Sequence, residues 1–264
     1  MLLNKSNYHS RDANLHYMSR SQYQGFLTCE AEAMAKLRGE WVDEPSTALL
    51  VGQYVHSWSE GARRDFIANN PSMFKKDGSL KAEYALADKI IATLEADELA
   101  MYMLEGQKEV IFTAEFAGAQ WRVMADVYNL ERRRMVDLKT TRSITETHWS
   151  EEHRRRVSFV EQYNYILQSA LYCEIERIAS GRPEGDWLEF YAVAVSKEAV
   201  PDKEVIDMRD PVRYSEELAK VAMYMPRINM VKAGEVEPVR CGRCNYCKST
   251  KKLTGAIHYT ELGA

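Results

Sequence analysis

Long apolar runs are missing from this 264-residue chain, and none approaches the roughly 20 residues that a membrane span requires. A helical membrane anchor is therefore not expected. The opening segment, MLLNKSNYHSRDANLHY, lacks the continuous apolar core of a secretory signal, so a cytoplasmic location is expected. The phosphate-cradling pattern GxxxxGK[ST] does not occur, so any ATP-driven work belongs to another subunit. No internal repeat or low-complexity tract is present. A global basic surplus is missing too, since the net charge is −4. Local basic runs do exist, at Arg132 to Arg134, Arg154 to Arg156, and Lys248, Lys251 and Lys252. Any one such run reads first as a solvated face.

Cysteine is scarce and unevenly placed. Of the five, Cys29 and Cys173 stand alone, whereas Cys241, Cys244 and Cys247 fall in RCGRCNYCK. A reducing cytoplasm disfavours a disulfide framework, and CxxCxxC spacing points to a metal or cluster site. Cys173 lies on an apolar helix pattern and reads as a buried core thiol.

What is present suffices for a sizeable core, with 45% apolar and 28% charged residues. Periodicity predicts a helix capped near Ser19 or Ser21 and stopped at Gly39, a second from Ser46 to the Asn69-Asn70-Pro71 stretch, and a third over 80–104. The period then changes. KEVIFTAEF and QWRVMADVYN flank a turn at Ala117-Gly118-Ala119 and predict a β-hairpin, and NLERRR leads into a third strand, RMVDLKT. A long helix over 157–179 follows, then the apolar strand WLEFYAVAVS, a short strand at EVIDM and a late helix with a kink at Pro226. This order predicts an α/β architecture with a central mixed sheet flanked by helices.

The chemistry concentrates on the third strand. Side chains alternate along a strand, so Asp137 and Lys139 share a face. Asp126, near the end of the preceding strand, can meet Asp137 across an antiparallel pair. Two carboxylates and a backbone carbonyl suit Mg²⁺, and a neighbouring lysine can orient or activate water. Upstream, Gly52, His56 and Glu60 repeat at i, i+4 and i+8. Downstream, Glu161, Tyr165, Gln168 and Tyr172 form one polar stripe on the predicted long helix.

The ordered set GxxxHxxxE, Asp, DxK and QxxxY resembles the PD-(D/E)xK nuclease superfamily in its RecB-like and RecE-like branch. Here these are Gly52, His56 and Glu60; Asp126; Asp137-Leu138-Lys139; and Gln168 with Tyr172, spanning about residues 19 to 200. Ala125 stands where the family name has proline. The resemblance implies a restriction-endonuclease-like core in which Asp126, Asp137, the Leu138 carbonyl and His56 hold Mg²⁺ or Mn²⁺. It implies that Lys139 positions the attacking water, and that Gln168 and Tyr172 hold the DNA backbone or the site's own loop. Glu60 and Glu109 compete as a further acid.

The same branch contains nucleases with a [4Fe–4S] cluster bound by one cysteine before the core and three after it. Cys29, Cys241, Cys244 and Cys247 supply that number of thiolates. The two-residue gap before Cys247 departs from the longer spacer of many relatives, so a Cys₄ Zn²⁺ site remains an alternative. The expected organisation is an N-terminal arm (1–18), a nuclease core with a helical insertion (19–235), and a Cys-rich tail (236–264) closing onto the first helix of the core. The expected activity is Mg-dependent exonucleolytic hydrolysis from duplex DNA ends. It would supply single strands to a phage-type recombination partner that anneals them, and a homo-oligomer is expected because such relatives ring DNA. A single-strand or end-trimming nuclease of the CRISPR-adaptation type and a non-catalytic DNA-binding module are the competing readings.

Overall fold

The computed structural model describes residues 1–44, 46–82, 84–151, 154–256 and 258–261. The end of the expected tail, 262–264, lies outside the described residues, as does position 257. Short helices open the chain: α1 (Arg11–His16), α2 (Arg20–Thr28) and α3 (Glu30–Arg38). Next come α4 (Thr47–Ser59), α5 (Arg63–Asn69), α6 (Leu86–Glu95) and α7 (Glu98–Met103). The strands β1 (Gln107–Phe116), β2 (Ala119–Asn129) and β3 (Arg134–Thr141) follow. A small hairpin, β4 (His148–Ser150) with β5 (Arg155–Val157), precedes α8 (Phe159–Gln162) and α9 (Tyr165–Ala179). Last are β6 (Glu189–Ser196), β7 (Lys203–Asp207), α10 (Pro211–Ala233) and α11 (Asn245–Ser249).

The sheet runs in the order β1-β2-β3-β6-β7. β3 and β6 are parallel and the other neighbours antiparallel, so the sheet is mixed, as expected. Its two faces carry separate apolar clusters. Met135, Phe190, Ala192 and Ala194 pack with α9 and α10 residues such as Leu171 and Val221. Val136, Leu138, Val193 and Val195 pack with Val55 of α4 and Ile90 of α6. The opposite alternation on β3 and β6 is what lets one sheet serve two cores. No helix among the described residues is long and apolar enough to cross a membrane.

Several expected helices are broken, each by an identifiable residue. The first begins at its Ser19 cap, whose side chain accepts from the Gln22 N–H, and ends at left-handed Gly39. Between them, extended Cys29 (φ −162°) divides α2 from α3. The second is capped by Ser46 but stops near Gly61, at φ +75°. The third divides where the Asp97 side chain caps α7 by accepting from the Ala100 N–H. Asn164, at φ +51°, separates α8 from α9 and caps α9 through the Leu167 N–H. Glu161 therefore falls on α8, off the stripe shared by Tyr165, Gln168 and Tyr172, and pairs with Arg155. Pro226 sits within α10, which continues to Ala233.

Candidate active site and candidate metal centre

Strand register sets the geometry. β2 and β3 pair Val127 with Val136 and Tyr128 with Met135, and the next position in that register sets Asp126 opposite Asp137. β1 and β2 pair Lys108 with Val127 and Val110 with Ala125, which sets Glu109 opposite Asp126. Glu109, Asp126 and Asp137 thus lie near enough on three strands for their charges to act on one another. Glu109 holds φ at +57°, a left-handed value inside a strand that costs energy and is common where a side chain is aimed for function.

Each acid has defined neighbours. Asp126 Oδ2 accepts the Leu138 N–H at 2.8 Å and lies 3.4 Å from His56 Nδ1. Gln168 Nε2 donates to Asp137 Oδ1 at 2.7 Å. Asp137 Oδ2 is buried against the Lys139 ammonium, 2.5 Å away. Lys139 Nζ also sits 4.5 Å from the centre of the Tyr165 ring. Gly52 lets α4 approach, because a Cβ built there would come within 3.1 Å of Thr140 Oγ1 on β3. One turn later His56 faces the acids, and Glu60 caps the C-terminal end of α4.

These groups border a cavity of about 800 Å³ lined by His56, Glu60, Glu109, Asp126 and Lys139, among others. Glu60 and Glu109 therefore share one cleft. Gln168 and Tyr172 border a neighbouring cavity of about 310 Å³, together with Asp126, Arg20 and Arg122. Tyr172 is braced edge-on against Phe190 at 6.0 Å.

Burial, with the charges of Glu60 and Asp126 adding, pushes the Glu109 carboxyl up to about 8. Burial and the Asp137 charge push Asp126 up to about 6, against the pull of His56 and Lys139. Burial works against a charged Lys139, but Asp137 and Asp126 outweigh it and hold the ammonium above its ordinary value. The two aspartates thus favour the ammonium form of Lys139. Asp126 and His56 bring to the cleft the oxygen and imidazole donors that a divalent cation takes, whereas Asp137 Oδ2 is held by Lys139, and among the described residues only the cysteines form a ready metal group. Carboxylates raised by one another are eased by such a charge.

Arg20 and Arg122 were not singled out in the sequence. Arg122 is 2% exposed; it donates to Asn14 Oδ1 and lies over the Tyr8 ring at 4.7 Å, yet its Nε and Nη1 are buried without partners. Arg20 donates to the Tyr163 and Asn164 carbonyls and leaves Nε unpartnered. Neither arginine has a carboxylate partner among the ion pairs of the described residues. A signal was present for Arg122, since WRVMAD places it four residues before Asp126 and so on the same strand face. Arg20 has none beyond its place beside the Ser19 cap.

The cysteines converge from both ends of the chain. Cys29, Cys241, Cys244 and Cys247 hold their sulfurs within 4.8 Å of one another, the one such group of metal-binding side chains among the described residues. Cys29 and Cys247 are 3.6 Å apart. Cys241 Sγ accepts the Arg243 and Cys244 N–H groups at 3.4 and 3.3 Å, and Cys244 Sγ accepts that of Cys247 at 3.4 Å. The N–H groups of Cys244 and Arg243 draw the Cys241 thiol down to about 6, whereas burial pushes Cys244 up to about 12. The tail is also fastened by Ala31 N–H to the Val239 carbonyl and by Glu30 to the Val239 N–H, while Glu30 pairs with Arg227 of α10 as well. Cys173 is buried apart, with its thiol toward the Leu188 carbonyl.

Residues 19–250 match the family described as PDDEXK-like domain of unknown function (DUF3799). A solved structure from Eubacterium rectale, carrying the provisional name exonuclease, is 41% identical over 100% of this chain and 99% of that one, with a TM-score of 0.93. The solved structure of SSO0001 is 14% identical over 86% of this chain and 91% of that one, and its TM-score of 0.30 is too low to bear on the fold. No curated protein matches.

Proposed function

The chain belongs to the PDDEXK-like family that its residues 19–250 match, and from that premise we propose that it is a PD-(D/E)xK nuclease, a divalent-cation-dependent exonuclease acting at the ends of duplex DNA. The observation that carries this reading is the acid cluster just past the β2–β3 ladder: Asp126 accepts the Leu138 N–H beside Asp137, with Lys139 on one Asp137 oxygen and Gln168 on the other. The name of the Eubacterium rectale protein supports the exonuclease part.

Asp126, Asp137, the Leu138 carbonyl and His56 would hold Mg²⁺ or Mn²⁺, with Glu109 and Glu60 facing the same cleft. Such an ion supplies neutralisation of the charge that builds on phosphorus as the linkage breaks. The protein's own groups do the rest. Gln168 fixes the rotamer of Asp137, so that Oδ2 stays toward Lys139. Lys139, beside Asp137 Oδ2, donates to an attacking water and to a phosphate oxygen as negative charge develops. His56 holds Asp126 from the helix side. Tyr172 and the unpaired guanidinium groups of Arg20 and Arg122 favour a phosphodiester backbone in the adjoining cavity. The single strands left behind would suit an annealing partner, and a homo-oligomeric ring would keep such an enzyme on its substrate.

The test uses end-labelled linear duplex, covalently closed circular duplex and single strands, each with Mg²⁺, beside an Asp137→Asn control. Linear duplex should shorten from its ends while circles survive. Nicked circles, a preference for single strands, or undiminished cleavage by Asp137→Asn would overturn the proposal.

A further inference from the structure

The four-cysteine site calls for a choice between two kinds of occupant, and the spacing of its sulfurs makes that choice. In a mononuclear tetrahedral site a zinc–sulfur length of about 2.3 Å places neighbouring sulfurs about 3.8 Å apart. In a [4Fe–4S] cube each thiolate stands outside its own iron, and each iron stands off the centre. The same four tetrahedral directions are therefore extended outward, and the sulfurs must lie farther apart than in any single-ion site. Here all four fall within 4.8 Å of one another, and Cys29 and Cys247 approach to 3.6 Å. An eight-atom cube does not fit between sulfurs so placed; one ion does.

The surroundings agree with a closed single-ion centre. Gly242, at φ +72°, turns the chain so that two successive backbone N–H groups point at Cys241 Sγ. Such N–H···S bonds spread the negative charge of a thiolate. Cys29 reaches the site because the helix breaks there, leaving its sulfur to face the tail rather than another helical turn. Tyr246 closes one side, with Trp41 edge-on at 5.7 Å and the Arg240 guanidinium 5.3 Å from its ring centre. Arg240 also donates to the Cys247 carbonyl at 3.1 Å, fixing the last ligand's backbone. Side chains from distant parts of the chain thus build this one site.

We propose that Cys29, Cys241, Cys244 and Cys247 bind one structural Zn²⁺ as a tetrahedral Cys₄ centre, and that this chain carries no [4Fe–4S] cluster. The ion closes a loop that runs from the start of α3 to the tail, so its binding energy becomes folding energy for α2 and α3. Those helices bring Arg20 beside the second cavity, which makes the zinc a distant support for the cleft. The proposal rests on the sulfur geometry and not on the nuclease reading, so either can fail without the other.

The full-length protein is purified without oxygen from cells supplied with both iron and zinc, then assayed for metals, acid-labile sulfide and visible absorbance. One zinc per chain, no sulfide and no colour are expected. Treating the native protein with a thiol-specific mercurial should release that zinc to a chromogenic chelator. Replacement by Co²⁺ should give the intense visible bands of a tetrahedral thiolate site, and Cys244→Ser should lose them. Should Cys244→Ser fail to fold, the mercurial and cobalt measurements on the unaltered chain still decide. A brown protein with iron and sulfide in equal amounts overturns the proposal, and so does a metal-free protein with four freely titrating thiols.

Discussion

Gln168 on α9 donates to Asp137 on β3 at 2.7 Å, and both side chains are buried. The bond exists because β3 and β6 are parallel, so the connection between them lays α9 over the sheet face that Asp137 shares. Gln168 touches no reacting atom; it holds one carboxylate oxygen while Lys139 pairs with the other. Residues that orient a ligand in this manner are typically worth 10–100-fold in metal affinity or activity. Gln168→Ala should therefore lower cleavage by about that factor and raise the Mg²⁺ concentration needed for half-maximal rate, with the fold retained by circular dichroism. Gln168→Glu should be worse, because it sets a second negative charge against Asp137. An unchanged Mg²⁺ titration in Gln168→Ala would remove the positioning role.

The sheet and the acid pair were legible because strand alternation and antiparallel register are short-range rules. The DxK on β3 and the Asp near the end of β2 needed only a turn of ordinary length between them. The helices were legible in approximate place but not in continuity, and the third, expected from residue 80, begins only at Leu86. Cys29, Gly61, Asp97 and Asn164 break them, and each break is decided by packing or by a cap that apolar periodicity does not register. The left-handed backbone of Glu109 could not be read at all, since glutamate carries no preference for that conformation. Arg20 escaped for another reason: it meets the cleft through the packing of α2 beside α9, a contact between segments far apart in sequence.

Gly52 tests how closely α4 must lie on β3. An added methyl would meet Thr140 Oγ1 at 3.1 Å, a contact that a small shift of the threonine relieves. Gly52→Ala also gains up to about 1 kcal/mol of helix propensity, so its stability should be flat or slightly raised. Gly52→Val has no such relief and should lever α4 outward, carrying His56 from Asp126. A loss of activity of roughly tenfold or more is expected, with thermal unfolding changed far less. Thr140→Ala in the same chain should return part of the activity, and this double-mutant cycle isolates the contact. Additive losses would show that the two positions act separately.

Lys232 sets a pH dependence away from the cleft. Burial, and then the charge of Arg122, draw its ammonium down to about 8 from the ordinary 10.5. Between those values the folded chain has released a proton that the unfolded chain still holds, so stability rises with pH across that window. Below about 8 both states are charged and the folded state bears the full cost, roughly 3 kcal/mol at most. Lys232→Met should be more stable than the unaltered chain at pH 7, and the advantage should shrink steadily toward pH 10. Urea unfolding at unit steps of pH reads this directly. A constant difference at every pH would mean that the lysine is not titrating in the folded protein.

Arg122 separates binding from folding. Its guanidinium is buried, two of its nitrogens lack partners, and no carboxylate answers its charge among the described residues. An unpaired buried charge is a liability to the fold and persists only where something else requires it. On the proposed function that requirement is a backbone phosphate entering the cavity that Arg122 shares with Asp126 and Tyr172. Arg122→Met keeps the volume and discards the charge. Its unfolding temperature should hold or rise by a few degrees, since relief of 1 kcal/mol moves a chain of this size by about that much. Its affinity for linear duplex, measured with Asp137→Asn also present so that nothing is cut, should fall on the order of tenfold, with a shallower dependence on salt. A drop in stability with unchanged affinity would instead make the arginine a structural strut, held by Asn14 and Tyr8 for the N-terminal arm.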